Sequence, residues 1–237
     1  MRAEIVQILR APLYWLVLLA GLGARASVAV LDFRYRPEQA WVLAGEFWSR
    51  TGSVTMCLLI LVVLIRRFSV DYETGAIPVV ASTPLGRKSL YFFRLAAGCA
   101  MTVLGVAILA AGNIGITLIL GRGAPIGWVR DFTLRSIPTA VGAVGYFLVS
   151  AFVCDIFANQ PAAMAFCGIP FAVSYFINTG MIEVFDMLWF LRYGFFTELA
   201  RGRWIVSRPG FWTVWYVLLT VGFFVLSIRQ RKERKLL

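Results

Sequence analysis

The chain has 237 residues, of which 60% are hydrophobic and only 15% are charged, and its mean hydropathy is +0.79. A soluble helical protein is excluded because too few polar residues remain to cover the outer faces of its helices, so the sequence predicts an all-α integral membrane protein. The net charge of +11 comes from basic residues at the ends of apolar segments, which argues against nucleic-acid binding. The absence of histidine removes histidine-based metal sites and histidine general bases.

The first residues predict an entry into the membrane. Residues 1–11 form a short amphipathic piece that suits the membrane interface, and Pro12 suits the first turn of a helix. We therefore predict a first span at 12–31, interpreted as an uncleaved membrane helix, with a cleaved signal peptide as the alternative. A polar segment follows, in which Pro37 is predicted to break the helix.

The second span is short when it is counted between flanking arginines. The fifteen residues between Arg50 and Arg66 cover about 22 Å as a helix, less than the ~30 Å of a hydrocarbon core. We therefore expect the helix to begin earlier, near residues 41–46, with Trp48 and Arg50 at the membrane interface.

The third span is predicted at 91–120, and it carries Ala107, Ala111 and Gly115 on one helix face. Small residues at this spacing allow helices to approach closely in lipid, and we interpret the face as packing within the chain, with a subunit contact as the alternative. The later predicted segments are a turn-rich loop at 121–136, spans at 136–157, 161–179 and 211–228, an extracytoplasmic re-entrant or surface region at 180–208, and a basic tail at 229–237.

Six spans place both termini on one side of the membrane. The tail and the insert at 66–94, between spans two and three, are rich in Lys and Arg, so the positive-inside rule predicts that both are cytoplasmic. The basic residues of the insert are Arg66, Arg67, Arg87, Lys88 and Arg94. The basic tail also favours anionic lipid headgroups. The sequence thus predicts a multi-pass protein of the cell inner (plasma) membrane with both termini in the cytoplasm.

The segment at 68–90 has an unusual order of residue types. An acidic entry at Asp71 and Glu73 leads to a short apolar stretch, and Pro84 with Gly86 then turns the chain. A basic re-entry into lipid follows. A plain basic, turn-rich inner loop explains much of this pattern, but acidic residues are not needed to anchor a loop.

The stretch "RRFSVDYETGAIPVVASTPLGRKSLYFFR" at 66–94 resembles a segment of ABC-2 type transporter permeases. That segment reads acidic-x-x-x-Gly, then Ser-x-Pro-x-x-Arg, and the matching positions are Asp71, Glu73, Gly75, Ser82, Thr83, Pro84, Leu85 and Arg87. The N-terminal "EIVQILRAPLYWLVLLA" is similar to the entry of the same family, in which an interfacial elbow helix precedes the first span. The resemblance covers essentially the whole chain as a single domain, 1–237.

The resemblance implies that this chain is the membrane subunit of an ABC transporter. In that family the segment is a coupling helix that contacts a separate ATPase subunit, which implies an ATPase-coupling role here for Asp71, Tyr72, Glu73, Thr74, Gly75, Ser82, Thr83, Pro84, Arg87 and Lys88. The chain carries no Gly-x-x-x-x-Gly-Lys-Ser/Thr phosphate loop, so we do not expect it to be an enzyme itself. The expected partners are two ATPase subunits, which bind ATP and Mg, and a second copy of this chain or a homologous permease.

The expected cargo is hydrophobic or amphipathic, such as a drug, an antimicrobial peptide or a lipid, and the resemblance favours export. Few charges are predicted deep in the spans; Asp155 lies near a turn, and Asn113 and Asn178 are uncharged. This scarcity argues against an ion-coupled secondary carrier, which needs buried ionisable groups. A membrane enzyme would need a nucleophile and a base, and a non-transporting membrane anchor for a cytoplasmic partner stays open.

Overall fold

The computed structural model describes residues 2–49, 51–73, 86–121 and 125–157, together with isolated residues between 165 and 226. Within these ranges the chain is all-helical, without a strand, which confirms the predicted fold class at that level. The elements are α1 (Arg2–Leu9), α2 (Pro12–Tyr35), α3 (Pro37–Gly45), a 3₁₀ turn (Phe47–Ser49), α4 (Thr51–Glu73), α5 (Gly86–Gly121) and α6 (Trp128–Phe157). The predicted region 180–208 lies outside the described residues, as do the fifth and sixth spans apart from a few isolated helical residues.

Three described helices are long and apolar enough to cross a membrane, and this composition identifies a membrane protein. Their spanning stretches are Pro12–Tyr35, Phe92–Gly121 and Trp128–Cys154. Helix α4 carries a shorter apolar stretch, Thr51–Ile65, and continues beyond it. The first and third predicted spans are therefore present as helices. The helix of the fourth span begins at Trp128, earlier than the predicted start at residue 136.

Prolines set the boundaries of the first helices. Pro12 occupies the first turn of α2, as predicted, and follows Ala11 in an extended conformation. Helix α2 ends at Tyr35, where the Arg36 amide bonds the Asp32 carbonyl, and Pro37 begins α3 at once. Pro37 thus breaks the helix as expected, but it also starts a new helix in place of a polar loop.

The prediction that the second-span helix begins near residues 41–46 is wrong. Helix α3 ends at Gly45, a 3₁₀ turn follows, and α4 begins at Thr51. Trp48 is fully buried inside the protein, where its indole N–H donates to the Ser136 hydroxyl at 2.9 Å. The interfacial position predicted for Arg50 lies outside the described residues. Gly52 makes this tight turn possible, since a Cβ there would come within 2.8 Å of the Phe47 and Trp48 rings.

The predicted loop at 121–136 is shorter than expected. Gly127 has a φ of 85°, a conformation that favours glycine, and the next residue, Trp128, begins α6. Residues 128–136 are therefore helical. The stacked rings of Trp128 and Phe132, 5.5 Å apart, pack this first turn of α6 against the aromatic residues of α3 and the 3₁₀ turn.

Helices α2, α4, α5 and α6 alternate in direction along the chain. Helices α2 and α5 run parallel, because the contacts Tyr14–Met101 and Arg25–Asn113 follow one another in the same order on both. Helix α4 runs antiparallel to α2, since Gly21 faces Thr55 while Tyr14 shares neighbours with Leu59. This alternation agrees with successive membrane crossings, and three of these four helices are long and apolar enough to cross.

Helix α6 runs antiparallel to α5. Gly98, near the start of α5, faces Phe147, near the end of α6, while the end of α5 and the start of α6 meet near Trp41. The bundle therefore has two ends. The α1 end holds α1, the start of α2 and the flanks of residues 74–85. The α3 end holds α3, the 3₁₀ turn and the start of α6. Large apolar side chains fill the core between them: Tyr14, Leu18, Met56, Leu59, Ile60, Leu95, Met101 and Phe147.

Helix α1 packs at the start of α2. Ile8 is buried in the core, and Ile5 and Leu9 pack against it. The Trp15 indole N–H donates to the Leu9 carbonyl at 2.7 Å, which satisfies a carbonyl at the end of α1. The helix predicted at 1–11 is thus present, while its role as an interfacial elbow stays a prediction.

Candidate functional site

The predicted coupling segment is flanked by helix on both sides. Helix α4 runs through Asp71, Tyr72 and Glu73, and α5 begins at Gly86, so that Arg87 and Lys88 lie in its first turn. Thr74, Gly75, Ser82, Thr83 and Pro84 lie outside the described residues. Because α4 and α5 are antiparallel neighbours, both flanks lie at the α1 end of the bundle.

The predicted small-residue face of α5 is open among the described residues. Ala107 and Ala111 are exposed, and a Cβ placed on Gly115 would meet nothing within 4 Å. Close packing on this face therefore stays a prediction. The close approaches of α5 are made by other glycines, since Gly98 faces the Phe147 ring and Gly112 faces Leu22.

A buried polar network crosses the bundle between its middle and the α3 end. It is built on Arg25, which lies 13 positions after the first residue of α2 and 10 before its last, and whose residue is 2% exposed. The buried residues of α2 recur at three- and four-residue spacing, and Arg25 occupies one of these positions: Tyr14, Leu18, Gly21, Arg25 and Ala29. The fold therefore places a guanidinium on the interior face of an apolar helix.

Asn113 of α5 links Arg25 to α3. The Arg25 Nε–H donates to the Asn113 Oδ1 at 2.6 Å, and the Asn113 Nδ2–H donates to the Ala44 carbonyl at 3.2 Å. Asn113 is fully buried. One amide side chain thus joins three helices, accepting a hydrogen bond from α2 and donating one to α3.

Asp32 supplies the balancing charge. Its Oδ2 lies 3.6 Å from the Arg25 Nη1, and the two side chains are 14% and 3% exposed respectively. The two residues are seven positions apart on α2, which places them two turns apart on the same face. A buried cation is tolerated in an apolar helix when such a counter-charge and hydrogen-bond acceptors are close by.

Aromatic rings surround this network at the α3 end. Phe33, Trp41, Trp128 and Phe132 form a continuous series of ring contacts with centroids 5.3–5.5 Å apart. The Trp128 indole N–H donates to the Trp41 carbonyl at 3.1 Å, which is a second side-chain hydrogen bond onto α3. The rings fix α3 against the ends of α2 and α6.

The interpretation of the sequence overlooked Arg25. It lies inside the predicted first span, but only Asp155, Asn113 and Asn178 were considered as deep polar residues. The signal that could have found it is the spacing of the α2 stripe, because Arg25 continues the series Tyr14, Leu18, Gly21. The link from Asn113 to Ala44 had no signal in sequence, since it depends on α3 turning back into the bundle.

Among the described residues, no group of three or more His, Cys, Asp or Glu side chains could hold a metal ion. Comparison of the chain with family models, with curated proteins and with solved structures finds no match.

Proposed function

We propose that this chain is the membrane subunit of an ATP-driven transporter of the ABC-2 type, exporting a hydrophobic or amphipathic substrate. One observation carries the proposal. Helix α4 continues for eight residues (66–73) beyond its apolar stretch, and α5 begins six residues (86–91) before its own. Helix therefore leads from both membrane stretches into the flanks of the segment that resembles a coupling helix, up to Glu73 on one side and from Gly86 on the other.

These helical flanks suit the transmission of force. At 1.5 Å per residue they extend about 12 Å and about 9 Å beyond the apolar stretches. A displacement of the segment would be carried along the whole of α5, which has 36 residues and a length of about 54 Å. Work done by an ATPase at one end of α5 could thus reach the opposite end of the bundle.

Charged residues lie on both helical flanks of the segment. Asp71 and Glu73 belong to the described part of α4, and Arg87 and Lys88 belong to the described part of α5. The proposal assigns these charges to a contact with the surface of the ATPase subunit.

In this proposal the energy comes from two separate ATPase subunits that bind ATP and Mg. The chain pairs with a second copy of itself or with a homologous permease, since one such bundle forms half of a pathway in transporters of this design. The complex lies in the cell inner membrane, and both termini and residues 68–90 face the cytoplasm.

Co-purification with an ATPase tests this function. We expect an ATPase subunit to co-purify with the tagged chain when it is expressed with its neighbouring genes. Glu73→Arg or Gly75→Pro should uncouple ATP turnover from substrate transport in proteoliposomes, at least tenfold, while membrane insertion is unchanged. Full coupled activity in both variants would contradict the proposal.

A charge exchange provides a control for contacts within the chain. If Glu73 only pairs with Arg87 across the segment, then Glu73→Arg combined with Arg87→Glu should restore coupling. If Glu73 contacts the ATPase, the double variant should stay uncoupled. The proposal expects the second result.

The buried Arg25–Asp32 pair favours a second candidate function, an ion-coupled secondary carrier. Buried ionisable pairs in membrane helices often mark ion or proton pathways. In that case substrate uptake into ATP-free vesicles should follow an imposed proton or sodium gradient, and Asp32→Asn should abolish it. Our first proposal expects no gradient-driven transport without ATP.

A further inference from the structure

We propose that α3 is a gate at the α3 end of the bundle and that the Arg25–Asn113 contact is the latch that holds it closed. The seating of α3 is a property of the fold. Its role as a gate rests on the proposed transport function, which supplies the movement that would open it.

Side-chain hydrogen bonds from two different helices reach α3 among the described residues. Asn113 of α5 donates to the Ala44 carbonyl, and Trp128 of α6 donates to the Trp41 carbonyl. Ala44 lies in the last turn of α3, where carbonyls lack the i+4 amide of a continuing helix, and the Glu46 amide that caps α3 also points to this carbonyl. The small side chains of Ala40 and Ala44 are fully buried, which allows this nine-residue helix to lie close against its neighbours.

The charge of Arg25 strengthens the hydrogen bond between Asn113 and Ala44. Its guanidinium donates to the amide oxygen of Asn113, which polarises the amide and makes its N–H a better donor. The same positive charge acts on the C-terminal end of α3, where the helix dipole favours a cation. The latch therefore has three parts in series: a charge on α2, an amide on α5 and a carbonyl on α3.

The latch lies on the helix that begins at the proposed coupling segment. Asn113 is 27 residues after Gly86 on the uninterrupted helix α5, a distance of about 40 Å along its axis. A rotation or translation of α5 would move the Asn113 amide away from Ala44. Movement imposed at the α1 end would thus release α3 at the other.

Cysteine labelling tests the latch on the full-length chain. The four native cysteines are replaced by serine, Ala40→Cys is introduced as the only thiol, and the maleimide reaction rate is measured on purified protein in detergent. Ala40 is fully buried, so this thiol should react slowly. Adding Asn113→Asp keeps the acceptor for Arg25 but removes the donor to Ala44, and we expect labelling at least tenfold faster.

Two controls show whether the effect is local to α3. Tyr14→Phe removes the other hydrogen bond between α2 and α5, to the Met101 carbonyl, without touching α3; it should leave the Ala40→Cys rate within twofold. A chain that keeps only the buried Cys57 reports on general loosening, and its rate should also stay within twofold when Asn113→Asp is added.

The outcomes separate the latch from the transport proposal. An unchanged Ala40→Cys rate in Asn113→Asp would overturn the latch, and so would an equal acceleration at Cys57. We also expect ATP to accelerate labelling of the Ala40→Cys variant that keeps Asn113, when this variant is in complex with its co-purified ATPase. If Asn113→Asp releases α3 but ATP does not, the latch stands and the gate is wrong. Failure to recover any ATPase would contradict the transport function without changing the result on detergent-purified protein.

Discussion

Arg25 is held in an apolar helix by partners on its own helix and on α5. Asp32 balances its charge at 3.6 Å, which is an ion-pair distance and not that of a hydrogen bond. Asn113 accepts a hydrogen bond from its Nε–H at 2.6 Å. The guanidinium is more deeply buried than the carboxylate. Substituting Arg25 and substituting Asp32 should therefore change the free energy of unfolding by different amounts.

Removing these charges singly and together should show that they act as a pair. We expect Asp32→Asn to lower the free energy of unfolding by about 3 kcal/mol, because it leaves the deeply buried Arg25 guanidinium without a counter-ion. Arg25→Met should cost less, about 1 kcal/mol, since the Asp32 carboxylate that it leaves unpaired is partly exposed. The double variant should lose less than the sum of the two.

Denaturation of the purified variants in mixed micelles measures these changes. Arg34→Met is the matched control, because Arg34 is exposed on the same helix, and it should change stability by less than about 0.5 kcal/mol. Strictly additive losses for Arg25→Met and Asp32→Asn would show that the two residues do not interact.

Individual residues were predicted well where lipid or helix geometry decides their place. Pro12 begins a helix because its fixed φ suits a first turn. Trp48 was placed at the membrane interface because tryptophan favours it, but the bend before α4 turns its ring into the core, where it bonds Ser136. A single arginine in an apolar run gives no sign of its partner, because Asn113 is 88 positions away.

Helix packing in this bundle depends on glycines at particular contacts. A Cβ on Gly98 would overlap the Phe147 ring between α5 and α6, and one on Gly21 would overlap Thr55 between α2 and α4. The face formed by Ala107, Ala111 and Gly115 has no such neighbour among the described residues. Some small residues of α5 therefore allow a close contact with a neighbouring helix, while others face no described neighbour.

Alanine substitutions should separate these two kinds of glycine. We expect Gly98→Ala to lower the free energy of unfolding by about 2 kcal/mol, because Phe147 must move. Gly115→Ala on the same helix should be neutral or stabilise by up to about 1 kcal/mol, because it adds no contact and restricts the unfolded chain. A loss of stability at Gly115 would indicate that the small-residue face is covered by another helix or subunit.

The elements were predicted where apolar length alone decides them. Helices α2 and α5 follow from long apolar runs, which leave no alternative in a membrane. Helix α3 was missed because nine residues are too few for a span and its first residues are polar. The start of α6 was missed because the glycines and the proline before it predict a loop, although the turn at Gly127 ends that loop at Trp128.

Helix direction and the distribution of charge together predict which side of the membrane each end of the bundle faces. Four alternating helices place Gln39, in α3, at the opposite end of the bundle from Glu73. The positive-inside rule predicts that the end with Glu73 is cytoplasmic. The fold thus gives a topology that can be tested with single thiols.

Thiol labelling in cells should distinguish the two ends. With the native cysteines replaced, a membrane-impermeant maleimide should label Gln39→Cys in intact cells, because Gln39 is exposed, and should not label Glu73→Cys. Inside-out vesicles should give the reverse pattern. Labelling of Glu73→Cys from outside intact cells would invert the topology and remove the basis for an ATPase contact.

The candidate sites differ in how far the sequence could predict them. Residues 68–90 were found because charge and turn residues interrupt apolar runs, which is a local signal. The helical continuation of α4 to Glu73 had no clear signal in the sequence, because the apolar run that predicts the span ends before Arg66. The network of Arg25, Asn113 and Ala44 joins three segments distant in sequence, and only the packed bundle brings them together.

The parallel pairing of α2 and α5 constrains insertions and deletions in the chain. The contacts Tyr14–Met101 and Arg25–Asn113 are separated by 87 and 88 positions, so the two helices keep nearly the same count between these points. Losing one residue between the two contacts on either helix would turn the second partner by about 100° and shift it by about 1.5 Å. Changes of length between the end of α2 and the start of α5 leave that count untouched, so the pairing of α2 with α5 does not itself restrict the length of the intervening chain.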